Sequence, residues 1–157
     1  MTNRNEHFET CKHDGGINRI HNHMRDLLIQ MAQKVSVSCD REPPGILTGK
    51  RPDFVFYDFG SSPLGTLFDV SLTTPYCGNQ TGKQPGIAAT HRYIQKEKKF
   101  LEDSRKAAYD FVPIVFETLG YIHPKALEVI KELTPRSEDE EWTPPTWASS
   151  TYTGSSD

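Results

Sequence analysis

Two aspartates in apolar surroundings are the residues of this chain best suited to chemistry. Asp53 follows Arg51-Pro52 and leads into Phe54-Val55-Phe56-Tyr57, and Asp69 stands inside Leu67-Phe68-Asp69-Val70-Ser71-Leu72. An ionised carboxylate is costly to bury unless it is paired or coordinates a metal. Two of them on paired strands can converge on one cation. Mg²⁺ (or Mn²⁺) suits such a site, because Mg²⁺ takes one or two protein carboxylates and keeps water and substrate phosphate in its other positions. The chemistry would be phosphodiester cleavage by an activated water. A structural reading stands beside it: Asp53 starts a strand after a proline, and Asp69 accepts hydrogen bonds from a neighbouring loop.

Two glutamates are further candidates. Glu42 precedes the segment carrying Asp53 and either adds a third carboxylate to the metal site or caps its loop. Glu117 ends the apolar run Phe111-Val112-Pro113-Ile114-Val115-Phe116, where both a structural and a catalytic role remain open.

The elements that must position these groups are legible from periodicity. Ile20, Met24, Leu27, Leu28 and Met31 recur at helical spacing, predicting a helix from Ile17 to about Lys34. Val35 to Asp40 alternates apolar and polar residues, as a short strand does. Pro43-Pro44-Gly45 breaks the chain. Arg51 to Phe59 and Leu64 to Thr73 read as strands, and Gly60-Ser61-Ser62-Pro63 is a turn of hairpin length, so the two are expected to be antiparallel neighbours. Pro75 to Gly86 reads as a loop. Ile87 to about Ala108 is a helix with its stripe at Ile87, Ile94, Leu101 and Ala108. Phe111 to Thr118 is a strand buried on both faces, and Pro124 opens a short helix through Leu133. The order predicts an α/β sandwich, a mixed central sheet flanked by helices. Residues 1–16 are an irregular lead-in, 17–134 the folded domain, and 135–157 an acidic tail whose composition predicts disorder.

Composition narrows the function. The chain has 157 residues, enough for one core. No apolar run approaches the roughly 20 residues that span a bilayer, so no membrane partner is expected. The polar start, Met1 to Glu9, predicts no secretory signal peptide, and the three scattered cysteines, Cys11, Cys39 and Cys77, fit a reducing compartment. Nuclear or cytoplasmic residence follows as an expectation. The formal charge of −3 conceals an asymmetry: Glu138, Asp139, Glu140 and Glu141 crowd the tail, whereas Lys83, Arg92, Lys96, Lys98, Lys99, Arg105 and Lys106 face only three acids between Lys83 and Lys106. Arg92, Lys98 and Lys99 on the second long helix, with Arg51 beside the first aspartate, suit phosphate contacts to DNA. A solvated basic helix face would carry the same residues.

The pattern Pro52-Asp53 followed by Asp69-Val70-Ser71 resembles the PD-(D/E)xK signature of restriction-like nucleases. More specifically, the chain resembles the C-terminal endonuclease region of non-LTR retrotransposon polyproteins. Arg51-Pro52-Asp53, Leu67-Phe68-Asp69-Val70 and Lys96-Glu97-Lys98-Lys99-Phe100 carry that resemblance. Around them stand His7-Phe8-Glu9-Thr10-Cys11, Arg19-Ile20-His21-Asn22 with Arg25-Asp26, Arg41-Glu42-Pro43 and Glu117-Thr118-Leu119-Gly120. It covers roughly residues 7 to 133. It implies a restriction-endonuclease-like fold, Mg²⁺ or Mn²⁺, a DNA substrate nicked to prime reverse transcription, and retroelement RNA or a reverse transcriptase as partners within a longer polyprotein.

One position departs from the signature. Its lysine, two residues after the second acid, is Ser71 here, and a hydroxyl cannot supply that positive charge. In the resembled family the lysine comes from the following helix, four residues before an aromatic, a position held here by Lys96 with Phe100. At about 100° per residue, Lys96 borders the apolar stripe beside Tyr93 and Phe100, while Lys98 borders its other edge. Periodicity does not choose between them; the resemblance favours Lys96. His7 and Cys11 match the last two ligands of the zinc knuckle that the family carries upstream. Structural zinc wants four ligands, so a remnant rather than a zinc site is expected. Two competing functions follow, a nuclease and a catalytically inactive nucleic-acid-binding remnant of the same fold. A third reading uses Trp142 and Trp147 of the tail as a short interaction motif.

Overall fold

The computed structural model describes residues 16–75 and 84–135. The zinc-knuckle remnant at His7 and Cys11, most of the loop after Pro75, and the acidic tail from 136 onward lie outside the described residues.

The elements run α1 (Gly16–Lys34), β1 (Cys39–Arg41), β2 (Phe54–Phe56), β3 (Thr66–Thr73), α2 (Ile87–Lys106), β4 (Asp110–Glu117) and α3 (Pro124–Glu132). The four strands form one mixed sheet in the order β1-β2-β3-β4. β1 with β2 and β2 with β3 are antiparallel, and β3 with β4 is parallel, with α2 as the crossover. Parallel neighbours require such a connection. The protein is therefore α/β with a mixed sheet, and helices cover both of its faces.

Strand alternation sends side chains to two cores. Phe54, Phe56, Phe68, Val70, Ile114 and Phe116 pack against Leu28, Ile29 and Ala32 of α1 and Ala126 and Val129 of α3. Val55, Leu67 and Phe111 face the other way, against Phe100 of α2. The rings interlock: Phe54 stacks on Phe68 at 4.8 Å between centroids and Phe100 on Phe111 at 4.9 Å. Gly65 enters β3 with φ of 119°, and a Cβ there would collide with the Phe56 carbonyl oxygen, so the hairpin closes only with glycine.

Three elements differ from their predicted extents. The strand expected at Val35 to Asp40 is confined to Cys39–Arg41, because the N–H groups of Val35, Ser36 and Val37 turn back onto the last carbonyls of α1, at Met31, Ala32 and Gln33. Those carbonyls have no partner inside the helix, and Ser36, with φ of 61°, makes the reversal. β2 keeps only Phe54–Phe56 of the run Arg51 to Phe59, which leaves Asp53 just outside the strand. On α2 the inward residues are Ala88, Ala89, Phe100 and Ser104. Ile94 of the predicted stripe is 43% exposed. Small residues let α2 approach the sheet on a face that hydrophobicity alone misplaces.

β4 is an edge strand whose free side is closed by local means. The Glu117 N–H donates to Tyr121 O, and the His123 N–H donates to Val115 O. Pro113 belongs to the same outward alternation and has no N–H to leave unpaired. No helix among the described residues is long and apolar enough to cross a membrane.

Candidate active site

Asp69 occupies the middle of β3 on the face that α2 covers, and it is 6% exposed. Asp53 lies one position beyond the pair Phe54↔Phe68, opposite Asp69 in the extended register. Its N–H donates to Phe68 O at 2.8 Å, and its Oδ2 accepts from the Val70 N–H at 2.6 Å. The hairpin thus brings the two carboxylates to adjacent places on neighbouring strands, close enough for the Asp53 charge to push the Asp69 carboxyl upward.

α2 supplies the positive charge. Lys96 Nζ stands 2.7 Å from Asp69 Oδ2. That ammonium is the charge-assisted partner of a carboxylate oxygen otherwise shut away from solvent. Burial drives the Asp69 carboxyl above its ordinary value, Lys96 pulls it down, and the net displacement is upward. Lys99 adds a second, more distant positive charge facing Asp69. Its ammonium rests 4.9 Å from the Phe100 ring centroid, and the Lys96 ammonium lies 6.0 Å from the same ring. Phe100, 2% exposed, anchors the turn of α2 that carries both lysines.

Of the residues singled out from sequence, Asp53, Asp69 and Lys96 come together. Ser71 lies two residues along β3 from Asp69 on the same face and is 8% exposed. Arg51, two residues before Asp53, is exposed, Arg92 is half-buried, and Lys98 and Lys99 are exposed. Arg92, Lys96 and Lys99, spaced four and then three apart, form one ridge of α2, and Lys98 falls off it.

Glu42 does not join the aspartates. Its carboxylate takes Arg25 Nη1 at 2.9 Å, and only its backbone N–H reaches Asp53, at the carbonyl oxygen. The buried guanidinium of Arg25 needs that partner. Among the described residues no three His, Cys, Asp or Glu side chains gather as a metal-holding group. Glu117 has a structural role: buried at the end of β4, its Oε1 accepts the N–H groups of Gly86 at 2.9 Å and Ala89 at 3.1 Å, capping the first turn of α2. The helix dipole favours the negative charge there.

Sequence reasoning missed a contact from the first helix. His21 Nε2 lies 3.1 Å from Asp53 Oδ2, and that carboxylate holds the imidazole above its usual pKa against the opposing effect of burial. Arg25, one turn later, bonds Asp26 and Glu42. The signal available was the spacing of four between His21 and Arg25, which sets both on one helix face.

No family model, curated protein or solved structure matches this chain.

Proposed function

We propose that this chain is a restriction-endonuclease-like nuclease domain that hydrolyses DNA phosphodiesters with Mg²⁺ or Mn²⁺. The observation that carries this reading is the buried Asp69 carboxylate, paired with Lys96 at 2.7 Å and opposite Asp53 in the extended register of the hairpin. Two neighbouring carboxylates with a lysine beside them suit a cation site of this kind, and two carboxylates suffice for Mg²⁺. A bound cation would supply Lewis acidity and a water of lowered pKa.

The chain's own groups divide the remaining work. Asp53 and Asp69 would hold the cation. The Lys96 ammonium would orient the attacking water and face the negative charge that gathers on the phosphate oxygens as the new phosphorus–oxygen bond forms and the bond to the leaving nucleotide oxygen breaks. The water's proton leaves to solvent. Arg51, Arg92 and Lys99 would hold the flanking phosphates, which fixes position without reading sequence. Nicking of supercoiled plasmid in Mn²⁺ tests this, with Asp69→Ala alongside. Cleavage by the wild type that disappears in the variant supports the enzyme, and equal inertness at high protein concentration rejects it.

A second reading keeps the fold and the DNA contacts without catalysis. Ser71 in place of the signature lysine favours it, as does the bond between Glu42 and Arg25, which removes a third carboxylate from the site. Retroelement RNA or a reverse transcriptase would be partners under either reading if the domain works within a longer polyprotein.

A further inference from the structure

We propose that His21 is a positioning residue for this site, holding the Asp53 carboxylate in the orientation that a divalent cation requires; this rests on the nuclease reading above. His21 reaches Asp53 from α1, whose buried residues lie in the core on the opposite side of the sheet from α2. Its Nε2 at 3.1 Å and the Val70 N–H at 2.6 Å both approach the same oxygen, Oδ2. Two donors from different elements on one oxygen fix the plane of the carboxylate and leave Oδ1 for a cation. The contact is partly shielded, with 26% of the His21 and 18% of the Asp53 side chain exposed.

The approach of α1 is itself pinned. Arg25, one turn after His21, bonds Glu42 and Asp26, and the Glu42 N–H bonds the Asp53 carbonyl oxygen at 2.8 Å. Arg41 also pairs with Asp26 at 2.9 Å. Asp53 is therefore held by its side chain through His21 and by its backbone through the loop that Arg25 secures. Groups that hydrogen-bond a metal-binding carboxylate commonly account for 10- to 100-fold in metal affinity or activity. Displacing this part of α1 would strand the buried Arg25 guanidinium away from its carboxylate partners.

The test is calorimetric titration of Mn²⁺ into the full chain, comparing wild type, His21→Ala, His21→Gln, His21→Asn and Asp53→Asn, with circular dichroism melts on each. Plasmid nicking against Mn²⁺ concentration accompanies it. His21→Ala and His21→Asn, whose short amide stops before Oδ2, are expected to weaken Mn²⁺ binding by about 10- to 100-fold. They should also raise the Mn²⁺ needed for half-maximal nicking more than they lower the rate at saturation. His21→Gln places an amide nitrogen near the position of imidazole Nε2 and should stay close to wild type. Unchanged Mn²⁺ affinity in folded His21→Ala or His21→Asn, with affinity lost in Asp53→Asn, overturns the role of His21 and spares the nuclease reading. Absence of Mn²⁺ binding by the wild type overturns both. A variant that lowers the melting temperature without moving the Mn²⁺ affinity assigns His21 to the fold alone and overturns the proposal.

Discussion

Lys96 Nζ lies 2.7 Å from Asp69 Oδ2, an ion pair between the middle of α2 and the middle of the strand that precedes it. The pair sets a positive charge against a carboxylate that burial has pushed toward protonation. In the proposed reaction that charge faces the phosphate as it gains negative charge. Lys96→Met keeps most of the volume and removes the charge. The initial rate of plasmid nicking is expected to fall by about 10²- to 10³-fold, the loss typical of one group stabilising a developing oxyanion. Lys96→Arg should recover part of the rate, and Lys98→Met should change it little, since Lys98 is exposed and off the ridge. Equal rates for wild type and Lys96→Met would sink the assignment.

Arg92 and Lys99 flank Lys96 on that ridge, and their contribution is read from salt rather than from rate. Each phosphate contact releases counterions, so removing one lowers the slope of log K against log salt by about 0.9 on duplex DNA. Arg92→Ala and Lys99→Ala should each flatten the slope by roughly that amount and weaken binding alike on unrelated sequences. Fluorescence anisotropy with two oligonucleotides between low and moderate salt measures it. A loss confined to one sequence would assign these residues to base recognition instead.

The antiparallel hairpin, the second long helix and the buried closing strand were all legible in the sequence, since the strand-like run Leu64 to Thr73 and the continuous apolar run from Phe111 match β3 and β4. So was the order of the elements. The choice of Lys96 over Lys98 was not available from periodicity, because both border the apolar stripe; it turns on Phe100 and Ser104 facing inward while Ile94 faces out. The two readings of Glu42 could not be separated in the sequence because its partner, Arg25, is distant in the chain and buried, and a sequence offers no sign that a charge will be desolvated. His21 escaped for a related reason: the contact depends on the angle at which α1 crosses the sheet. Local patterns fix which elements form; long-range packing fixes which side chains meet.

Glu117 offers a test of structure separate from catalysis. Its Oε1 takes two N–H groups of the first turn of α2, so Glu117→Ala leaves both donors buried without a partner. The expected loss is about 1–3 kcal/mol in urea denaturation. Glu117→Gln keeps a carbonyl oxygen in place and should lose less, giving up only the charge that complements the helix dipole. Because α2 carries Lys96, nicking by the folded alanine variant should also decline, whereas Glu117→Gln should nick at nearly the wild-type rate. A large catalytic loss in Glu117→Gln with full stability would return Glu117 to the list of catalytic groups.

His123 is expected to make stability depend on pH. It precedes α3 as the N-cap, its Nδ1 accepts the Lys125 N–H at 3.2 Å, and its ring stacks on Tyr93 at 4.2 Å. Burial lowers its pKa below the ordinary value of 6.5, and the Lys125 charge lowers it further against the pull of Glu97 and Glu128. Protonation would convert the Nδ1 acceptor into a donor and place a positive charge at a helix N-terminus, which the dipole disfavours. The sign follows directly. Between the lowered folded value and 6.5 the unfolded chain binds more protons, so stability rises with pH across that window. The full contribution is present above 6.5 and is lost as pH falls through the folded value. His123→Asn keeps an N-cap acceptor and cannot titrate, so its urea midpoint should fall less than that of the wild type on acidification from neutral pH through this window. Parallel profiles for the two proteins would show that the pH dependence of stability in this range originates elsewhere.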